Sequence, residues 1–152
     1  MLLWLLTIVF SYSIPAPVQD TPEQKIAAEV WTYANQYRTN HRLNALKRQP
    51  ELDAIALRHS KDMAEGKVPF SHNGFNGRVN AVKRFAKVPY SVGENLYATT
   101  SEYFVASSAV KGWIESPGHK QNLEGKWQFT GIGVARSRQG EYFITQLYVG
   151  KQ

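Results

Sequence analysis

The sequence predicts an α+β fold, with helices first and a β hairpin closing the chain. Apolar residues recur at three- to four-residue spacing through the N-terminal and central segments, the period of helices with one buried face. Near the C-terminus the pattern changes to β-rich runs, GIGVA at 131–135 and EYFITQLYV at 141–149, with SRQG between them as a turn. Two such runs joined by a short polar turn form an antiparallel hairpin. The helical part is large enough to cover the sheet.

The elements follow in order. Thr21 suits an N-cap, Pro22 the first helical position, and Glu23 and Gln24 the first turn. Ile26, Val30, Ala34 and Tyr37 then mark one face of a helix over 22–40. Residues 40–49 are a connection. Pro50 and Glu51 open a second helix, with Leu52, Ile55, Ala56, His59 and Met63 inward and Gly66 at its end. Residues 67–76 read as loop with a short extended piece. Val79, Val82 and Phe85 predict a short helix stopped by Pro89. Residues 91–97 are a loop or short strand. Thr99 and Glu102 have the spacing of a capping box for a helix carrying Phe104, Val105, Ser108, Ala109 and Ile114, which ends before Pro117. Residues 117–126 read as loop with one helical turn.

The N-terminus stands apart. LLWLLTIVF at 2–10 is an apolar run, followed by small residues and Pro15. It is short against the roughly 20 apolar residues of a membrane-spanning helix and reads as a secretory signal, although no Lys or Arg precedes it. The alternative is a buried strand or helix. The expected division is a signal segment at 1–16, a linker at 17–24 and one domain at 25–152, so the chain is expected to be secreted or attached to a cell envelope.

Composition narrows the function classes. Hydrophobic residues make up 43% and charged residues 20%, which is globular rather than disordered. There is no cysteine, which excludes disulfides, thiolate metal sites and a cysteine nucleophile. The net charge is +6, favouring anionic partners. The basic residues are scattered, however. The densest group is Lys47 and Arg48 with Arg38, His41 and Arg42, and no run reads as a nucleic-acid arm. Nucleic acid is not an expected partner.

Chemistry concentrates in four polar segments, expected as loops or element ends: FSHNG at 70–74, GENL at 93–96, WIESPGH at 113–119, and Asn122 with Leu123. Two imidazoles with one or two carboxylates suit two tasks. Neutral imidazoles can hold a divalent metal such as zinc, or His and Glu can act as an acid–base pair. Spacing alone does not choose, since His72 and His119 are far apart and no HExxH, phosphate loop or GxSxG elbow occurs. Each residue also has a plainer reading. His72 could bond a loop carbonyl, Glu94 could order its own loop, and His119 could be an exposed helix-start residue. Asn95 and Asn122 read as loop-ordering amides, His41 as surface and His59 as helix packing. Trp31, Trp113 and Trp127 read as core. Tyr97, Tyr103 and Tyr142 are core or surface, with a ligand groove as the alternative.

Several motifs in register resemble the CAP superfamily of cysteine-rich secretory, antigen 5 and pathogenesis-related proteins, in its cysteine-poor bacterial form. They are Asn35-Gln-Tyr-Arg38, Leu46 with the helix from Leu52, FSH at 70–72 with GENL at 93–96, SPGHKQNL at 116–123, and GIGVA at 131–135. The resemblance spans residues 26–149. It implies a three-layer α–β–α sandwich with a mainly antiparallel central sheet. It also implies a cleft to which His72, Glu94 and His119 contribute, with Glu115 near the place of a further Glu. The implied function is an exported binding module for a lipid, sterol, glycan or anionic envelope component, its cleft able to hold a divalent metal at His72 and His119. The alternatives are a hydrolase using His72 or His119 with Glu94, with Ser71 and Ser116 nearby in sequence but neither marked as a nucleophile, and a structural or signalling domain without catalysis.

Overall fold

The computed structural model describes residues 19–84 and 90–151. The signal segment and the positions of Phe85 and Pro89 lie outside the described residues. Among the described residues five helices, α1 (Pro22–Asn40), α2 (Pro50–Ala64), α3 (Phe75–Lys83), α4 (Val105–Glu115) and α5 (Pro117–Glu124), pack around four strands, β1 (Lys47–Arg48), β2 (Tyr90–Thr99), β3 (Phe129–Arg136) and β4 (Tyr142–Lys151). The sheet order is β1-β3-β4-β2. The β2–β4 and β3–β4 ladders are antiparallel and the short β1–β3 pair is parallel. The sheet is therefore mixed, through a two-residue strand inside the stretch expected as a connection.

Side chains alternate faces along a strand, and this sorts the core into two layers. Ile132, Val134, Ile144 and Tyr148 bury one face of the hairpin against α1, α4 and α5, with Val30, Ala34, Ala109, Trp113 and Leu123. Leu96, Phe143 and Val149 point the other way, to Met63 and Leu52 of α2 and Val82 of α3. The result is the expected three-layer sandwich. α2 lies close against the sheet. A Cβ on Gly131 would collide with the Leu52 carbonyl carbon, and one on Gly133 with the Leu57 nitrogen. Glycine at these two positions sets the depth of the α2 contact. No disulfide helps, so burial carries the stability, at about 1.5–3 kcal/mol for each large apolar side chain fully removed from water.

The first two helices start at the expected prolines. Thr21 and Gln24 form a reciprocal capping box on α1. Elsewhere tertiary contacts override the local reading. Residues 91–97 lie inside a ten-residue strand, because the β4 edge pairs with residues of low strand propensity such as Gly93, Glu94 and Asn95. Thr99 and Glu102 do not cap α4. Thr99 ends β2 opposite Tyr142, its hydroxyl accepts from the Ser101 N–H, and the N-cap is Phe104 in left-handed conformation at φ 56°. Residues 117–124 form a full helix rather than a loop with one turn. Its C-terminal carbonyls are taken by Arg38, whose Nη1 donates to Leu123 O at 2.8 Å and Gly125 O at 3.0 Å. Arg38 is thus buried and belongs to no basic surface group. Asn35, its partner in the motif, clamps Leu46 through both backbone groups. Trp113 is core, Trp127 is half-buried against it and Trp31 is exposed, bonding Leu46 O at its edge.

Candidate functional site

The sheet edge at β2 positions the site. Glu94 and Asn95 are consecutive in the strand, so they point to opposite faces. Glu94 points to the α2 and α3 side and Asn95 to the α5 side. One residue pair thereby organises the polar groups on both faces of the edge strand. Both lie in a strand interior, not in a loop.

On the first face Glu94 is 4% exposed, and a buried carboxylate requires partners. Arg78 of α3 supplies two charge-assisted bonds, Nε to Oε2 at 2.5 Å and Nη2 to Oε1 at 2.7 Å. His72 supplies a third, with Nδ1 2.8 Å from Oε1. Donation of the Nδ1 proton to the carboxylate leaves Nε2 of a neutral His72 ring with its lone pair available. Arg78 also donates to Asn73 O and His72 O, fixing the FSHNG loop. Its Nη1 lies 3.3 Å from His59 Nδ1, while His59 Nε2 faces Ser71 O at 3.0 Å. The second bond puts the His59 proton on Nε2. Burial first, and then the Arg78 charge, hold the His59 pKa below its ordinary value.

On the second face two asparagines pin α5 to β2. Asn122 Nδ2 donates to Glu94 O at 2.9 Å and Asn95 Oδ1 at 3.0 Å. Asn95 Nδ2 donates to His119 O at 3.0 Å and to the Tyr148 hydroxyl at 3.2 Å. Tyr148 passes the chain on to Gln146, which reaches Thr130. These amides join a strand to a helix rather than ordering loops. They set His119 at the third position of α5, with its ring centroid 6.2 Å from that of His72. Burial, and next the neighbouring His72, lower the His119 pKa, which favours its neutral form.

The fold therefore brings together His72, Glu94 and His119, three of the four expected residues. Glu115 ends α4 with an exposed side chain that pairs with Lys111 one helical turn away. His41 is exposed as expected. Tyr142 is core, Tyr97 half-buried and Tyr103 exposed. Sequence reasoning missed Arg78 altogether and saw His59 only as packing. Neither carries a local motif, and the one signal was chemical, in that a carboxylate on a strand interior needs a cation. Ser71 and Ser116 make no hydrogen bond to either cleft histidine among the described residues.

A divalent cation can be tested against this donor set. Both Glu94 oxygens are engaged by Arg78 and His72, and no cluster of three or more His, Cys, Asp or Glu able to hold a metal occurs among the described residues. The two imidazoles fit as ligands, one oriented by a carboxylate and the other favoured in its neutral form. Such a site would keep several positions open to solvent or ligand.

An α–β–α sandwich with a histidine pair over its edge strand defines the class. A profile of the CAP cysteine-rich secretory protein family matches residues 31–148, and the chain belongs to that family. An extracellular protein of Bacillus anthracis containing an SCP domain is similar, with 27% identity and a TM-score of 0.70 over 90% of this chain and 45% of that one. An outer surface protein of Borrelia burgdorferi shares the fold at 15% identity and TM-score 0.73, over 87% and 97% of the two chains. A cysteine-rich secretory protein of Staphylococcus aureus does so at 17% and 0.65, over 86% and 40%. The chain thus spans under half of the Bacillus and Staphylococcus proteins. No curated protein sequence matches.

Proposed function

We propose that the protein is an exported binding module whose cleft, formed by His72, Glu94 and His119, takes a divalent cation or a small polar ligand. The observation that carries this reading is the arrangement of Glu94. A buried carboxylate locked by Arg78 has no remaining freedom to act as a base, but it orients His72 with Nε2 toward the outside. Histidine ligands of metals are commonly held in this way, by a carboxylate that accepts the proton of the other ring nitrogen. A hydrolase would have His72 or His119 activate water or a hydroxyl, with Glu94 orienting the ring; neither nearby serine bonds to the imidazoles, so water would be the nucleophile. The extracellular and outer-surface character of the Bacillus and Borrelia neighbours supports export. The +6 charge and the exposed Phe70, Tyr103 and Phe104 support contact with a lipid, sterol, glycan or anionic envelope surface.

The test is zinc titration of residues 17–152 by calorimetry. One ion should bind, His72→Ala and His119→Ala should each weaken binding at least about tenfold, and Glu94→Gln should cost about 10–100-fold, because His72 loses the carboxylate that orients it. His41→Ala serves as control. Equal zinc binding by wild type and both cleft-histidine variants would refute the metal site. Turnover of mixed peptide and ester substrates that is abolished by either substitution would favour the hydrolase instead.

A further inference from the structure

Two Asn-Gly steps stand close together at the start of α3, Asn73-Gly74 and Asn76-Gly77, and the sequence has no others. Glycine has no side chain to shield its nitrogen, which can therefore attack the side-chain amide of a preceding asparagine. All four residues are exposed, but the backbone treats the two steps differently. Gly77 N donates to Gly74 O at 3.0 Å in the first turn of α3. Among the described residues neither Gly74 N nor the Asn73 carboxamide has a hydrogen-bond partner. Phe75 N closes a turn on His72 O at 3.0 Å. Gly74 has φ 77° and ψ 9° and Asn73 has no positive φ, which is the type II pattern. The central peptide plane of such a turn can rotate while the closing bond stays, because glycine accepts either sign of φ. The bond that resists runs from Arg78 Nη1 to Asn73 O at 3.0 Å. The same rotation at Asn76 would unwind the first turn of α3.

We propose that Asn73-Gly74 is a self-modification site, which deamidates through a cyclic imide where Asn76-Gly77 does not, and whose product acts on the cleft through Arg78. The Gly74 nitrogen passes its proton to water and bonds to Asn73 Cγ. The Cγ–Nδ2 bond breaks, and ammonia leaves carrying a proton returned by water. A water molecule then adds to one of the two ring carbonyls and breaks the bond from that carbon to Gly74 N. The sum exchanges ammonia for water, with no change of oxidation state. Opening at Cγ leaves an aspartate side chain. Opening at the Asn73 backbone carbonyl leaves an isoaspartate linkage with one extra backbone carbon. In that form the new carboxylate is built on the carbon whose oxygen Arg78 already holds. Arg78, which donates to Glu94 and His72 O, then faces two carboxylates. Its charge-assisted bonds are divided between them, and the turn carrying His72 is lengthened.

The test incubates residues 17–152 at mildly alkaline pH beside a synthetic peptide of residues 68–78. Trypsin releases the same segment from the protein, after Lys67 and Arg78, so one peptide carries both Asn-Gly steps. Digestion at mildly acidic pH keeps the work-up from adding to the reaction, and fragment-ion mass spectra separate the two positions. In the free peptide both steps should react at similar rates. In the folded protein Asn73 should convert at least about tenfold faster than Asn76, because the helix must open before Asn76 can react. Isoaspartyl methyltransferase should label the product. Asn73→Gln should abolish the label, since the longer side chain must close a larger ring. In the converted protein the His72 ring resonances should move while those of the exposed His41 stay. Equal rates at both positions in the folded protein, no conversion at Asn73 by the time the peptide has converted fully, or unmoved His72 resonances would each overturn the proposal.

Discussion

Replacing Arg78 with methionine should be among the most damaging single changes in the protein outside its apolar core. The substitution keeps an unbranched apolar stem and removes the charge. Glu94, whose side chain is 2% exposed, then keeps only His72 as partner. Two charge-assisted bonds are lost, each worth about 1.5–3 kcal/mol, and stranding one member of a buried pair costs about 3–5 kcal/mol in comparable cases. The two routes agree, and a loss of about 4 kcal/mol is expected from urea unfolding at pH 7 with linear extrapolation. The bonds to Asn73 O and His72 O disappear as well, so the His72 ring resonances should broaden or shift. The double variant Arg78→Met with Glu94→Gln removes the stranded charge and should recover a large part of the loss. Arg58→Met, which breaks an exposed pair with Asp62 at 3.7 Å, should cost under about 1 kcal/mol. A loss for Arg78→Met no larger than that control, or no recovery in the double variant, would refute the buried-pair account of the site.

Other perturbations test the rest of the scaffold. Gly133→Ala drives a methyl into the α2 backbone at Leu57, so a loss at the upper end of the 1–3 kcal/mol typical of overpacking is expected in the same urea assay. Tyr148→Phe leaves the Gln146 acceptor and one Asn95 donor unpaired in the interior and should cost about 1–3 kcal/mol. Stability should also depend on pH through His59, whose folded pKa lies below its unfolded value. Its contribution is complete above the unfolded value of about 6.5. As the pH falls below that, the unfolded chain takes up a proton that the native state refuses, and stability declines until the lower folded pKa is passed. Urea midpoints measured from pH 7.5 to 5 should therefore fall, and His59→Gln should flatten the slope. An unchanged slope would mean that His59 stays neutral for neither of the stated causes.

Local chemistry is enough for much of this protein. Thr21, Pro22 and Gln24 form their cap from residues within one turn, and the aromatic and β-branched residues of EYFITQLYV settle its strand without outside help. Motif resemblance groups His72, Glu94 and His119, and that grouping survives in three dimensions. The features that local patterns miss depend on distant partners. GENL is strand because β4 offers a complete row of backbone partners to residues of low strand propensity. SPGHKQNL is helix because Arg38, far upstream, takes its terminal carbonyls. No local pattern links Arg78 to Glu94, because their pairing depends on how α3 sits against β2. Residue order is thus sufficient for elements whose signals lie within a turn or a strand of each residue, and for naming the cleft's outward-facing histidines. The support beneath those histidines is set by packing, since a buried carboxylate takes its partner from whichever element closes over it.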